Sequence, residues 1–131
     1  MEIKKKYIKL QDLEVYRLAR ELSGIGWKIY DSLDWQTKKI MGDQFITSTD
    51  SVGANIAEGY SRFHYLEKIR FYYIARGSLA EASDHWLELL KKRKKITEEK
   101  DFQEFEIISK NISIKLNNFI STTYKSKEKN Q

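Results

Sequence analysis

Four polar residues near the middle of the chain follow helical spacing: Ser51, Asn55, Glu58 and Arg62. On a helix they share one face, which we call the polar seam. A carboxylate beside an amide and a guanidinium can perform acid–base chemistry. Such groups more commonly form a satisfied hydrogen-bond network that fixes helix register or a subunit interface. Because no nucleophile or phosphate-binding loop accompanies the seam, we interpret it as structural and predict no catalytic residues.

A second group of residues is cationic. Residues 91–95 read KKRKK at the predicted end of a helix, and Lys4, Lys5 and Lys6 lie close to the N-terminus. Clustered lysines and arginines bind nucleic-acid phosphates without regard to sequence. The alternative is ordinary capping, since cations complement the helix dipole at a C-terminus. The predicted nucleic-acid-binding residues are Lys4, Lys5, Lys6, Arg62, Lys91, Lys92, Arg93, Lys94 and Lys95.

Metal and cofactor chemistry has little support in the sequence. His64 and His85 are the two histidines, and the chain contains no cysteine. Carboxylate-bridged di-metal bundles need Glu-x-x-His motifs on two helices, which this chain lacks. The absence of cysteine excludes disulfides and thiolate metal sites. We therefore expect no metal site and no cofactor.

Two ordered motifs carry a family resemblance. Residues 55–59 (NIAEG) are followed by Ser61-Arg62, and residues 74–81 read IARGSLAE. Over about residues 13–96 the chain resembles the four helix bundle protein family, named for proteins encoded in intervening sequences of bacterial 23S ribosomal RNA genes. It is also similar to the accessory protein of diversity-generating retroelements. The resemblance implies a four-helix protomer, a ring-shaped homopentamer and nucleic-acid binding.

The chain departs from that family at two places. Family members usually carry basic residues just after the position of Gln44, where this chain has residues 45–48 (FITS). Gly53 replaces a proline often found before the Ala-Asn pair. If the basic positions contact nucleic acid in the family, this chain must use other residues.

The overall charge is basic, with a net charge of +5 and a pI near 9.3. Polyanions are therefore plausible partners. No stretch approaches the ~18 apolar residues of a membrane span. The basic N-terminus is not followed by the apolar region of a signal peptide, so we expect a cytoplasmic protein without a membrane partner.

The elements that must position these residues are helices. Zero proline, six glycines and 33% charged residues favour long helices. Apolar periodicity predicts them over about 12–33, 36–60, 65–94 and 97–124, with Asp12 as the first N-cap. Short connections favour antiparallel neighbours. The predicted fold is all-α, an up-down-up-down antiparallel four-helix bundle forming a single domain over 1–131, with a basic N-terminal and a polar C-terminal tail.

The third predicted helix carries two apolar stripes, and residues 69–75 are apolar nearly all round. The first stripe is Leu66, Ile69, Tyr73, Ala80, Leu87 and Leu90, and the second is Tyr65, Tyr72, Ala75, Leu79, Ala82, Trp86 and Leu89. A helix of this kind is buried on more than one side. A four-helix monomer of this length rarely buries one helix so fully. We therefore predict a homo-oligomer, in agreement with the ring that the resemblance implies.

The sequence thus predicts a non-enzymatic, oligomeric protein associated with RNA or DNA. It would bind phosphates through a basic surface without sequence readout, as an accessory to another machine. Aromatic residues near predicted loops and ends could stack on exposed bases: Tyr7, Tyr60, Phe63 and Tyr65. The alternative is an oligomeric scaffold or adaptor that binds a protein partner and has no nucleic-acid role.

Overall fold

The computed structural model describes residues 8–95 and 99–129, with side chains described as far as Ser126. In this part of the chain there are four long helices and no strand. A 3₁₀ turn, Leu10–Asp12, precedes them. The helices are α1 (Glu14–Ser32), α2 (residues 35–61), α3 (residues 65–94) and α4 (Lys100–Lys129). The predicted all-α class is confirmed.

Three of the helix ends are fixed by identifiable groups. Asp34 is the N-cap of α2, and its carboxylate Oδ1 accepts a hydrogen bond from the Thr37 amide at 2.8 Å. The His64 side chain caps α3 in the same way, accepting from the Leu66 amide. Lys95 closes α3 in the left-handed conformation, with φ of 54°.

The predicted cap of the first helix is wrong. Asp12 lies in the 3₁₀ turn, and Leu13 occupies the N-cap position of α1 without a side-chain hydrogen bond. The predicted start of the last helix at Thr97 falls outside the described residues, and so do Lys4, Lys5 and Lys6.

Contacts between α1 and α2 run in opposite directions along the two helices. Ser23 Oγ donates to Asp50 Oδ1 at 2.6 Å, whereas Tyr30, seven residues later, donates to the earlier Asp43 at 2.6 Å. As the residue number rises on α1 it falls on α2. The two helices are therefore antiparallel.

The same opposition holds for α3 and α4. Arg76 donates to Asn117 at 2.9 Å, and Lys91 pairs with Glu106 at 2.7 Å. α4 closes the bundle by packing against α1, where Lys115 pairs with Glu14 at 3.0 Å. Each helix thus contacts the helices before and after it in an up-down-up-down arrangement.

The core is apolar and rich in aromatic rings. Phe45 of α2 and Phe105 of α4 are fully buried, with ring centroids 5.2 Å apart. Tyr72 of α3 packs on Phe119 of α4 at 4.8 Å. These contacts join helices that are distant in sequence, so the helices share one aromatic core.

A π-helical segment corrects the prediction of two apolar stripes on α3. The buried positions of α3 are Ile69, Tyr72, Ala75, Leu79, Ala82, Leu87 and Leu90. Ile69, Leu87 and Leu90 belong to the first predicted stripe and the other four to the second. The step of five between Ala82 and Leu87 falls within the π-helix Glu81–Leu87, whose wider turn carries the extra residue. One buried line therefore changes register, while Tyr73 and Ile74 stay about 40% exposed.

Gly59 allows the closest approach between α2 and α3. A Cβ atom there would lie 2.7 Å from the Tyr72 ring, 2.9 Å from Phe71 Cβ and 3.0 Å from the Lys68 carbonyl oxygen. Its φ is not positive, so Gly59 is not needed for a left-handed turn. The absence of a side chain instead allows the two helices to pack closely. No helix in the described residues is long and apolar enough to span a membrane.

Candidate nucleic-acid interface

The basic run and the start of α2 meet at one end of the bundle, formed by residues 34–39 and 91–95, which we call the basic end. Lys94 Nζ lies 2.7 Å from Asp34 Oδ2 and joins the C-terminus of α3 to the cap of α2. The Lys94 ammonium and the Thr37 hydrogen bonds hold the pKa of Asp34 well below its ordinary value. The carboxylate therefore stays ionised and keeps both helix ends together.

Lys91 of α3 is also paired, with one carboxylate on its own helix and one on α4. Its ammonium lies 2.7 Å from Glu106 and 3.5 Å from Glu88, and the hydrogen bond to Glu106 raises the pKa of Lys91. Two carboxylates thus neutralise this lysine. Of the five predicted residues in the run, Lys91 and Lys94 serve the bundle itself.

Lys92, Arg93 and Lys95 are different. All three side chains are exposed, and none forms an ion pair with a carboxylate among the described residues. They remain available to an external anion, and we call them the free cations. The KKRKK run is thus divided into two bundle-binding lysines and three free cations.

Two more lysines, which were not among the predicted binding residues, lie at this end. Lys39 Nζ sits 5.2 Å from the centre of the Trp35 ring, and Lys38 Nζ sits 5.2 Å from that of Tyr30. Both contacts are cation–π interactions on the first turns of α2. The four-residue step from Trp35 to Lys39 was a readable signal, because residues at that spacing are neighbours on a helix.

Arg62 does not belong to this surface. It lies at the C-terminus of α2, beside the start of α3, whereas residues 91–95 lie at the end of α3. The length of α3 therefore separates Arg62 from the basic run by roughly 45 Å, at about 1.5 Å per residue. Its guanidinium lies 2.6 Å from Glu58 and 5.0 Å from the centre of the Phe71 ring. Within one protomer Arg62 and residues 91–95 therefore form two separate sites.

The polar seam bonds within its own helix. Ser51 donates to the Thr47 carbonyl, Asn55 donates to the Ser51 carbonyl, and Arg62 pairs with Glu58. No hydrogen bond of the seam reaches another helix in the described part of the chain, although the Arg62 guanidinium approaches the Phe71 ring of α3. A subunit-interface role stays a prediction.

The residues that replace the family's basic positions are structural. Phe45 and Ile46 are 0% and 7% exposed, and Ser48 bonds to the Gln44 carbonyl. Only Thr47 of the four faces solvent. Cations at positions 45 and 46 would be buried without partners, at a large desolvation cost. The lysines of α2 lie instead about two turns earlier, at Lys38 and Lys39.

The predicted stacking aromatics differ in availability. Phe63 is fully exposed in the α2–α3 turn. Tyr60 donates its hydroxyl hydrogen to the Ile8 carbonyl and packs on Phe119, and the Tyr65 ring stacks on His64. Tyr7 lies outside the described residues.

A groove of about 450 Å³ separates α3 from α4. Its lining mixes Lys91 and Lys110 with Asp84, Glu88 and Glu106, so charges of both signs alternate. No group of three or more His, Asp or Glu side chains that could hold a metal ion occurs in the described residues. Neither the groove nor the seam therefore rivals the basic end as a site for a polyanion.

Comparisons with known proteins agree with this bundle. A solved structure with a TM-score of 0.72 is a protein of unknown function from the S23 ribosomal protein family of Bacteroides thetaiotaomicron. It is 26% identical, and the match covers 81% of this chain and 97% of that one. No curated protein matches. The profile of the 23S rRNA-intervening sequence protein family matches residues 11–118. The chain therefore belongs to the 23S rRNA-intervening sequence protein family.

Proposed function

We propose that this protein is a non-enzymatic, oligomeric nucleic-acid-associated protein that binds RNA or DNA through its basic end, as an accessory to another machine. The observation that carries the proposal is the set of free cations, Lys92, Arg93 and Lys95. Clustered cations without carboxylate partners gain most from phosphate contacts, because binding releases the counterions condensed on the nucleic acid.

The charge distribution supports this location. Residues 31–39, 91–95 and 99–101 hold eight cationic and four acidic side chains. That surplus of four compares with +5 for the whole chain, while residues 1–9 hold a further surplus of three and the remaining residues are net −2. A lysine-rich surface contacts phosphates, which carry no sequence information directly. Binding without sequence readout follows from this composition.

Self-association would strengthen the contact. Leu66 is 51% exposed, and Tyr73 and Ile74 leave about 40% of their surface uncovered on the same helix. Apolar area of this kind is typical of interfaces between subunits. A ring of five copies, as the family resemblance implies, would repeat the free cations around one edge and raise the affinity through multivalency. Light scattering on purified protein tests this step, and a monomer at micromolar concentration would contradict it.

The binding proposal is tested by fluorescence anisotropy of labelled RNA and DNA oligomers at several salt concentrations. We expect affinity to fall steeply as salt rises. The triple variant Lys92→Gln, Arg93→Gln, Lys95→Gln should show a slope of log K against log salt that is smaller by about two to three, at roughly 0.7–0.9 per lost contact.

The matched control removes the same charge elsewhere. Arg17, Arg70 and Lys125 are also exposed, on α1, α3 and α4, and replacing all three with Gln lowers the net charge by the same amount. This variant should keep most of the wild-type salt slope. Equal losses in both triple variants would show that net charge alone drives binding and would contradict a site at the basic end.

A protein scaffold is the second candidate. Ile107 and Ile114 of α4 are 60% and 62% exposed and lie seven residues apart, which places them on one helix face. This pair favours an apolar partner surface. If no nucleic acid binds even at low salt, and Ile107→Ser with Ile114→Ser abolishes capture of a protein partner, the scaffold would replace the first proposal.

A further inference from the structure

We propose that Trp35 is a stacking platform for an unpaired base, so that the basic end prefers single-stranded nucleic acid over duplex. This inference rests on the proposed function and names the substrate class of the same site. It adds a residue that neither the charge pattern nor the family resemblance selects.

The exposure of Trp35 is the first observation. Its side chain is 74% exposed, which makes it the most exposed of the three tryptophans. It forms no ring contact with another aromatic side chain in the described part of the chain. A large apolar ring that contributes this little to the core is available to a flat partner.

The position of Trp35 is the second observation. It directly follows Asp34, whose carboxylate is paired with Lys94 at 2.7 Å. The neighbours of Lys94 in the chain are Arg93 and Lys95, two of the free cations. The ion pair therefore holds the tryptophan and the cations at one end of the bundle. A strand whose phosphates contact the cations would bring its bases to the indole.

The first turn of α2 is held in place before any ligand arrives. Asp34 accepts hydrogen bonds from the Thr37 amide at 2.8 Å and from its hydroxyl at 3.1 Å. Lys39 Nζ approaches the indole ring at 5.2 Å from its centre. A preorganised ring loses less entropy on binding. An ammonium near the ring also adds a cation–π component to the stack.

Stacking selects the single strand for a geometric reason. In a duplex the faces of the bases are covered by their neighbours, whereas the bases of a single strand can turn outward onto an aromatic ring. Every base has a π face, so stacking adds affinity without sequence preference. The combination of free cations and one exposed indole is therefore the chemistry of a single-strand site.

The test compares a labelled oligouridylate with a duplex of the same length in anisotropy titrations. Trp35→Ala should weaken single-strand binding on the order of 5- to 150-fold, the range that corresponds to one stacked base. It should leave duplex binding within about twofold, because phosphate contacts remain. The wild-type tryptophan fluorescence should fall on binding the single strand. Trp35→Phe should lose most of that quenching while keeping most of the affinity.

Phe63→Ala provides the matched control. Phe63 is fully exposed at the opposite end of the bundle, so its loss should change neither affinity. Equal binding of single strand and duplex, unchanged in Trp35→Ala, would overturn stacking while leaving the proposed function intact. An equal loss in Phe63→Ala would also overturn it. The absence of binding to either probe at low salt would remove the proposed function itself, and with it this inference.

Discussion

The two ends of the bundle are built from similar residues and use them differently. The α2–α3 end, residues 59–68, has Arg62 and Lys68 beside aromatic rings, as the basic end has Lys39 beside Trp35. Arg62 pairs with Glu58, and Lys68 Nζ donates to the Tyr60 carbonyl at 2.8 Å, where burial lowers the pKa of Lys68. At the basic end, by contrast, Lys92, Arg93 and Lys95 have no carboxylate partner among the described residues.

The aromatic residues follow the same division, with the exception of Phe63, which is fully exposed in the α2–α3 turn. Tyr72, which packs against Gly59 of the α2–α3 end, is 1% exposed and also contacts Phe119. Tyr60 joins α2 to the Ile8 carbonyl. At the basic end the Trp35 ring is mostly in solvent. A cation–aromatic pair is thus not a binding site by composition. Whether such a pair can bind a ligand depends on whether its cation is already paired with a carboxylate or carbonyl and whether its ring is buried.

The largest expected effect contrasts the two rings. Tyr72→Ala removes a buried ring from the α2–α3 end and should lower the free energy of unfolding by about 3–5 kcal/mol. Trp35→Ala removes an exposed ring and should stay within about 0.5 kcal/mol of wild type. Urea denaturation followed by circular dichroism measures both. A large loss for Trp35→Ala would mean that the indole stabilises the fold, and the division between the ends would fail.

The next effect concerns packing around glycine. Gly59→Ala forces a methyl group to within 3 Å of Tyr72 and Phe71, so we expect a loss of about 1–3 kcal/mol despite the better helix propensity. Gly77→Ala is the control, because nothing lies within 4 Å of its added Cβ. That variant should gain about 0.5–1 kcal/mol. Similar changes in both variants would show that helix propensity, not close packing, governs Gly59.

The smallest effect is the acid sensitivity of the ion pair at the basic end. The folded-state pKa of Asp34 is lowered by Lys94, so this carboxylate stabilises the protein above its unfolded pKa of about 4. That stability should fade as the pH drops further toward the lowered pKa. Asp34→Asn keeps an N-cap oxygen but cannot titrate. Its unfolding free energy should therefore fall less between pH 6 and pH 2 than that of wild type, and parallel curves would contradict the assignment.

Helical periodicity was sufficient to predict the fold, because each helix has a long buried side. It gave the number of helices, the short connections gave their antiparallel order, and α3 spans the predicted residues 65–94. It failed at the π-helix Glu81–Leu87, where the register shift made one buried line look like two stripes. A pattern based on a fixed period cannot detect a single wide turn.

The site was less predictable than the fold. Residues 91–95 were visible as a charge run, but sequence alone could not separate Lys91 and Lys94, which bind Glu106 and Asp34 respectively. Those pairs join residues 15 and 60 positions apart in the chain. Arg62 was grouped with the run on charge alone, although the length of α3 separates them. Trp35 was overlooked because exposure is a tertiary property.

We propose that nucleic acid contacts the basic end and not the α2–α3 end. Ultraviolet crosslinking of a single-stranded oligouridylate to the wild-type protein, followed by peptide mapping, tests it most directly. We expect crosslinks at Trp35 and in peptides containing residues 91–95, and none at Phe63. Crosslinks centred on residues 59–68, or confined to the polar seam, would contradict it.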